Sequence, residues 1–78
     1  MPAFHYQNDT LYCEEVPLAD IAAREGTPCY VYSSRAILET YGAYDEGMSG
    51  VEHRICYAVK ANSSLGVLAL LARAGSGF

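Results

Sequence analysis

Basic side chains are scarce in this sequence. Lysine and arginine together number five against nine aspartates and glutamates, for a net charge of -4. That balance leaves no positive footprint for nucleic acid or for an anionic membrane surface. Cysteine is sparse as well. Cys13, Cys29 and Cys56 are odd in number and widely spaced, which fits neither a disulfide framework nor a C-x-x-C metal site. Reduced, part-buried thiols in a cytoplasmic protein are the expectation, with no metal. The chain does not open on a basic region followed by an apolar core, so no signal peptide is expected. Its longest apolar run, "LGVLALLA" from Leu65 to Ala72, falls far short of the roughly 20 residues that span a bilayer. Neither nucleic acid nor membrane is an expected partner.

What is present is globular in character. The sequence is 51% hydrophobic with seven tyrosines in 78 residues, enough for one small domain that would be marginal without further support. The last residues, "AGSGF", turn the chain into a hydrophobic side chain. Finished domains more often end on a docked helix or a polar tail. The expectation is therefore a piece of a longer protein.

Along the chain, the residues up to Glu15 are polar and aromatic without sustained periodicity, and "TLYCEEV" reads as one short edge strand. "PLADIAAREG" reads as a short helix. Pro17 suits the first helical position, Leu18, Ile21 and Ala22 share a face, and Gly26 suits the residue after the helix. "TPCYVYS" predicts a strand over Cys29 to Tyr32. A helix follows, capped by Ser33 or Ser34, with Ile37, Tyr41, Tyr44 and Met48 forming an apolar stripe. Gly42 weakens this helix by up to about 1 kcal/mol against alanine, and Gly50 closes the segment. "HRICYAVK" predicts a strand from Arg54 to Val59 or Lys60. "SSLGVLALLARAG" predicts a helix capped by Ser63 or Ser64, ended by Gly75, and apolar enough all round to be buried on most sides. The resulting βαβα order predicts a parallel α/β architecture.

Lys60 ends a hydrophobic run and is followed by the turn-like Asn62-Ser63-Ser64. Strand alternation would set Ile55, Tyr57 and Val59 on one face and Arg54, Cys56, Ala58 and Lys60 on the other. The second set becomes small towards the lysine, so Ala58 is a candidate pocket wall. Ligands of α/β folds gather at the C-terminal ends of strands. The plain alternative is a lysine snorkelling to solvent as the strand ends. A desolvated amine beside an apolar wall or another cation is a nucleophile suited to Schiff-base chemistry. Pyridoxal phosphate is the usual partner of such a lysine, and an aldolase-type substrate imine is the other choice. His5 and His53 read as surface or loop residues.

"YAVKAN", the Ser/Leu-rich helix after it and "GSGF" together resemble the start of the alanine-racemase-like barrel enzymes that use pyridoxal phosphate. "EEVPLADIAAREGTPCYVYS" resembles the diaminopimelate decarboxylase branch in particular, and the resemblance covers nearly the whole chain. It implies a TIM-like (β/α)8 barrel preceded by an N-terminal segment of a β-sandwich domain, incomplete as given. Residues 1–32 would be the N-terminal part of the sandwich, and residues 33–78 a bridging helix and the first βα unit of the cofactor-binding barrel. It implies Lys60 as the catalytic and cofactor-binding Schiff-base lysine, pyridoxal 5'-phosphate as cofactor, an amino-acid substrate and a homodimer.

The implied reaction is decarboxylation of meso-2,6-diaminopimelate to L-lysine, with the isolated segment inactive. Racemases of this family follow their lysine with an "AxAYGHG"-like run, from which "ANSSLGVLAL" departs. Relatives often carry asparagine where Ser64 stands, and residues larger than glycine where Gly42 stands. The phosphate-binding glycines, the acid on the pyridine nitrogen, the stacking histidine, the substrate-binding residues and the cysteine from a second subunit would all follow Phe78. Alternatives from the same resemblance are ornithine, arginine or carboxylated-polyamine decarboxylases and a non-catalytic cofactor carrier. Taken alone, the residues also fit a small α/β interaction module.

Overall fold

The computed structural model of the chain describes residues 2–78, which form two compact units divided after Ala36. In the first, three short strands make an antiparallel meander: β1 (Phe4–Gln7), β2 (Thr10–Cys13) and β3 (Val16–Pro17), in the order β1-β2-β3. Gln7 pairs with Thr10, so Asn8 and Asp9 alone make the first turn. Both have positive φ, 52° and 63°, as a type I′ hairpin turn requires. Short polar side chains tolerate that conformation better than others.

Across the ladder His5 lies opposite Tyr12, and the rings stack with centroids 5.6 Å apart. Such cross-strand pairs are the unit of sheet stability. The second turn is Glu14-Glu15, since Cys13 pairs with Val16. Glu14 has φ 56°, and its N–H bonds the Ala3 carbonyl at 2.6 Å. The expected single strand in "TLYCEEV" is thus β2, a tight turn and the start of β3. β1 was not anticipated.

Helix α1 (Leu18–Glu25) packs on β2 and β3. Pro17 sits one position earlier than expected, as its N-cap, and Gly26 ends it at φ 82°. The strand predicted over Cys29 to Tyr32 is absent: residues 29–33 join no ladder. β-rich residues take up an extended path, but a strand exists only where a neighbour supplies the inter-strand hydrogen bonds. Tyr30, 90% exposed, has no such cover.

Helix α2 (Ser34–Gly47) crosses into the second unit, which runs from Ile37 to Phe78. Of its expected stripe, Ile37 and Tyr41 are half-buried whereas Tyr44 and Met48 are exposed. Turns follow it to Gly50. The predicted strand from Arg54 to Lys60 shrinks to one parallel bridge, Cys56 to Gly77. The Tyr57 N–H donates to the Gly77 carbonyl at 2.9 Å, and the Gly77 N–H donates to the Ile55 carbonyl at 2.8 Å. The rest of the segment has no strand beside it, and Val59–Ala61 coils into a 3₁₀ turn.

Helix α3 (Leu65–Ala74) is the crossover that a parallel pairing needs. It ends at Gly75, φ 103°, in a Schellman pattern: the Ser76 N–H reaches the Leu71 carbonyl at 3.0 Å and the Gly75 N–H reaches Ala72 at 3.1 Å. Val67 and Leu71 are its buried residues, while Leu65 is 82% exposed. The expectation of burial on most sides is corrected to one stripe, because this unit has too few elements to cover the rest. The architecture is a small α/β one: an antiparallel sheet within residues 4–17, and a single parallel bridge, Cys56 to Gly77, in place of the parallel strand pairing expected from the βαβα order. Among the described residues, no helix is long and apolar enough to cross a membrane.

Candidate functional site

Lys60 is the only lysine in the 78 residues, and it lies in the 3₁₀ turn with its side chain exposed. The turn is closed by the Ala61 N–H to the Ala58 carbonyl at 3.0 Å and the Asn62 N–H to the Val59 carbonyl at 3.2 Å. Ala58 precedes the turn in an extended conformation and is exposed. Strand alternation therefore ends at Ala58, and the two-face sorting does not carry through to Lys60.

The residues bracketing the turn are half-buried, and they meet. The Tyr57 hydroxyl donates to the Asn62 carbonyl at 3.0 Å. The Tyr57 ring is held edge-on to Phe78, centroids 6.5 Å apart at 90°. Asn62 Oδ1 in turn accepts the Ser64 N–H at 2.9 Å, a local turn that leads into α3. Ser64 occupies the N-cap position, but its hydroxyl makes no cap bond. Asn62 takes over the ordering of that entry, a role not foreseen for it.

Beside this turn, Val59, Leu65, Leu68, Ala69, Ala72 and Phe78 line an open apolar groove of about 460 Å³. Lys60 is exposed and is not among the residues that line this groove; the chemistry open to its primary amine is condensation with an aldehyde. The amine nitrogen takes the carbon, the carbonyl oxygen leaves as water, and a Schiff base results.

The second cluster, in the first unit, was not foreseen. One oxygen of the Glu14 carboxylate, Oε2, accepts the Ser33 hydroxyl at 2.8 Å, the Arg35 N–H at 3.2 Å and the Ser34 hydroxyl at 3.5 Å. Ser33 Oγ accepts the Ala36 N–H at 3.0 Å, which identifies Ser33 rather than Ser34 as the cap of α2. Ser33 is buried. These bonds, led by that from Ser33, hold the Glu14 carboxyl below the usual carboxylate range. Adjacent Cys13 is buried, and burial followed by the Glu14 charge pushes its thiol up. It is consequently a packing residue rather than a nucleophile. Cys29 and Cys56 are free and exposed, correcting the expectation of part-burial.

His5 lies in β1 rather than in a loop. His53 is half-buried, between the Val51 carbonyl at 2.8 Å from Nδ1 and the Asp45 carboxylate at 2.7 Å from Nε2. Both acceptors favour the imidazolium, the Val51 carbonyl most, so its pKa is raised. Among the described residues, no group of three or more His, Cys, Asp or Glu is placed to hold a metal ion.

No protein-family model matches the chain. Whole relatives do. It is 54% identical to diaminopimelate decarboxylase of Vibrio cholerae over its full length, 51% identical to that of Pseudomonas aeruginosa and 41% identical to that of Haemophilus influenzae. In each case the match covers all of this chain and 19% of the relative. From end to end, the chain is similar to a segment of about a fifth of the diaminopimelate decarboxylases.

Proposed function

We propose that the complete protein carrying these residues is a pyridoxal phosphate-dependent carboxy-lyase, converting meso-2,6-diaminopimelate to L-lysine and carbon dioxide. Lys60 is the residue that holds the cofactor as a Schiff base, with Ala58 as part of the pocket wall. The observation that carries this reading is the similarity of the whole chain to diaminopimelate decarboxylases at 54% and 51% identity, with the one lysine of these residues on an ordered turn.

The residues present fit the cofactor's point of attachment. Lys60 is exposed, its neighbours Ala58 and Ala61 are small, and the turn is closed at both ends. Pyridoxal phosphate, when bound, supplies the electron sink that accepts the charge left by the departing carboxylate. The chain's own part is narrower. Lys60 would hold the cofactor through Nζ, and its amine, when not so engaged, would be placed to take part in proton transfer.

The same reading makes residues 1–32 part of a β-sandwich domain and residues 33–78 a bridging helix and first βα unit of a TIM-like barrel. The antiparallel meander supports the former, and the parallel bridge closed over α3 supports the latter. A homodimer acting in the cytoplasm on an amino acid completes it. Catalysis needs several groups held in place at once, so the 78 residues by themselves are inactive.

Lys60→Arg in the complete protein tests this reading. It keeps the positive charge and removes the amine that condenses. Loss of the cofactor's visible absorbance and of carbon dioxide release is expected; a variant that kept both would contradict it.

A further inference from the structure

The hydroxyl of Tyr57 spans the turn that carries Lys60 and ends on the Asn62 carbonyl, 3.0 Å away. We propose that Tyr57 is a positioning residue for Lys60: its hydroxyl holds the turn closed and so fixes the direction in which the amine is presented. The proposal rests on the reading of Lys60 as the Schiff-base lysine.

The arrangement is a closed loop of constraints. On one side, the backbone of Tyr57 is pinned by its N–H to Gly77, and its ring by Phe78. On the other, Asn62 is tied to the start of α3 through Oδ1 and the Ser64 N–H. Residues 58–61 between them are all exposed, so burial does not hold them. The turn's backbone closures, at 3.0 and 3.2 Å, are of the i to i+3 kind, whose geometry is poorer than that of an α-helix. A phenol reaching across from an anchored ring adds a closure independent of that backbone. Without it the turn opens more often, the amine samples more directions, and its effective concentration at a fixed reaction partner falls.

Tyr57→Phe isolates the hydroxyl, because the ring and its contact with Phe78 remain. In the complete protein, the formation constant of the Lys60 imine is measured by titrating with pyridoxal phosphate and following the visible absorbance. Hydride reduction and peptide mass locate the adduct. Amide exchange is followed in the peptide over residues 58–62, with the thermal midpoint as a control. Loss of one hydrogen bond of ordinary strength predicts a formation constant about two- to tenfold lower, faster exchange at residues 58–62 and an unchanged midpoint.

A ring-fluorinated tyrosine at position 57, a stronger donor in a wild-type fold, is expected to hold the constant at or above the wild-type value. A constant for Tyr57→Phe within error of wild type, while Lys60→Arg loses the adduct, overturns the positioning role alone. So does a lower constant for the fluorinated residue. An adduct that persists in Lys60→Arg overturns the reading of Lys60 and this proposal with it.

Discussion

The Glu14 carboxylate accepts the Ser33 hydroxyl at 2.8 Å and so joins the β2–β3 turn to the start of α2. Ser33 passes the interaction on, accepting the Ala36 N–H. Ser33→Ala therefore loses a helix cap, at a cost of about 1 kcal/mol, and leaves Glu14 without its shortest partner. Urea unfolding of the variant should show a lower midpoint with an unchanged slope.

The same carboxylate makes stability depend on acid. Its pKa is lower folded than unfolded, so its contribution is complete above the unfolded value and disappears as pH falls through the lowered folded one. Glu14→Gln should flatten the acid limb of the stability profile. A variant with the wild-type acid limb would remove Glu14 from the account.

His53 works in the opposite direction. Its folded pKa is raised, by the Val51 carbonyl first and the Asp45 carboxylate next. Its contribution is complete below the unfolded value, about 6.5 for an ordinary histidine, and is lost as pH rises through the raised folded one. Asp45→Asn should lower the titration midpoint of the His53 ring protons in an NMR series without returning it fully to the ordinary value, since the carbonyl remains.

Two glycines should respond to alanine with opposite signs. Gly42 lies inside α2 with open space where a Cβ would stand, so Gly42→Ala should stabilise by up to about 1 kcal/mol. Gly75 has φ 103° at the end of α3, and alanine there should destabilise by about 1–2 kcal/mol because its Cβ meets the following carbonyl. Circular dichroism through thermal unfolding reads both.

Gly77 is constrained by space. A Cβ there would lie 2.9 Å from Cys56 Sγ and 3.1 Å from Arg54 Nε. Gly77→Ala should loosen the parallel bridge and cost about 1–2 kcal/mol, the lower range for overpacking. Pairing it with Cys56→Ala should recover most of that loss, a coupling that a double-mutant cycle measures directly.

The helices were readable in the sequence because their signals are local. Pro17, Gly26, Ser33 and Gly75 mark ends, and each acts within a few residues of itself. The strands were not. "CYVY" and "RICYAVK" carry β-rich residues, yet what makes a strand is the partner beside it. Within these residues only Gly77 reaches Cys56. β1 escaped because the Asn8-Asp9 turn that folds it back lacks the glycine that usually announces such a hairpin.

At the site, residue type, an expected strand end and the resemblance to a known motif singled out Lys60, which the structure places in a 3₁₀ turn instead of at a strand end. The contact between Tyr57 and Asn62 lies five residues apart across a turn and has no sequence signature. Glu14 and Ser33, 19 residues apart, meet only through the fold.

The most direct test of the central claim is where pyridoxal phosphate attaches. The complete protein is loaded with the cofactor, reduced with hydride and digested, and the modified peptide is identified by mass. A stoichiometric adduct on Lys60, within "YAVKAN", is expected. A reduced adduct on any other lysine, with Lys60 unmodified, would contradict it.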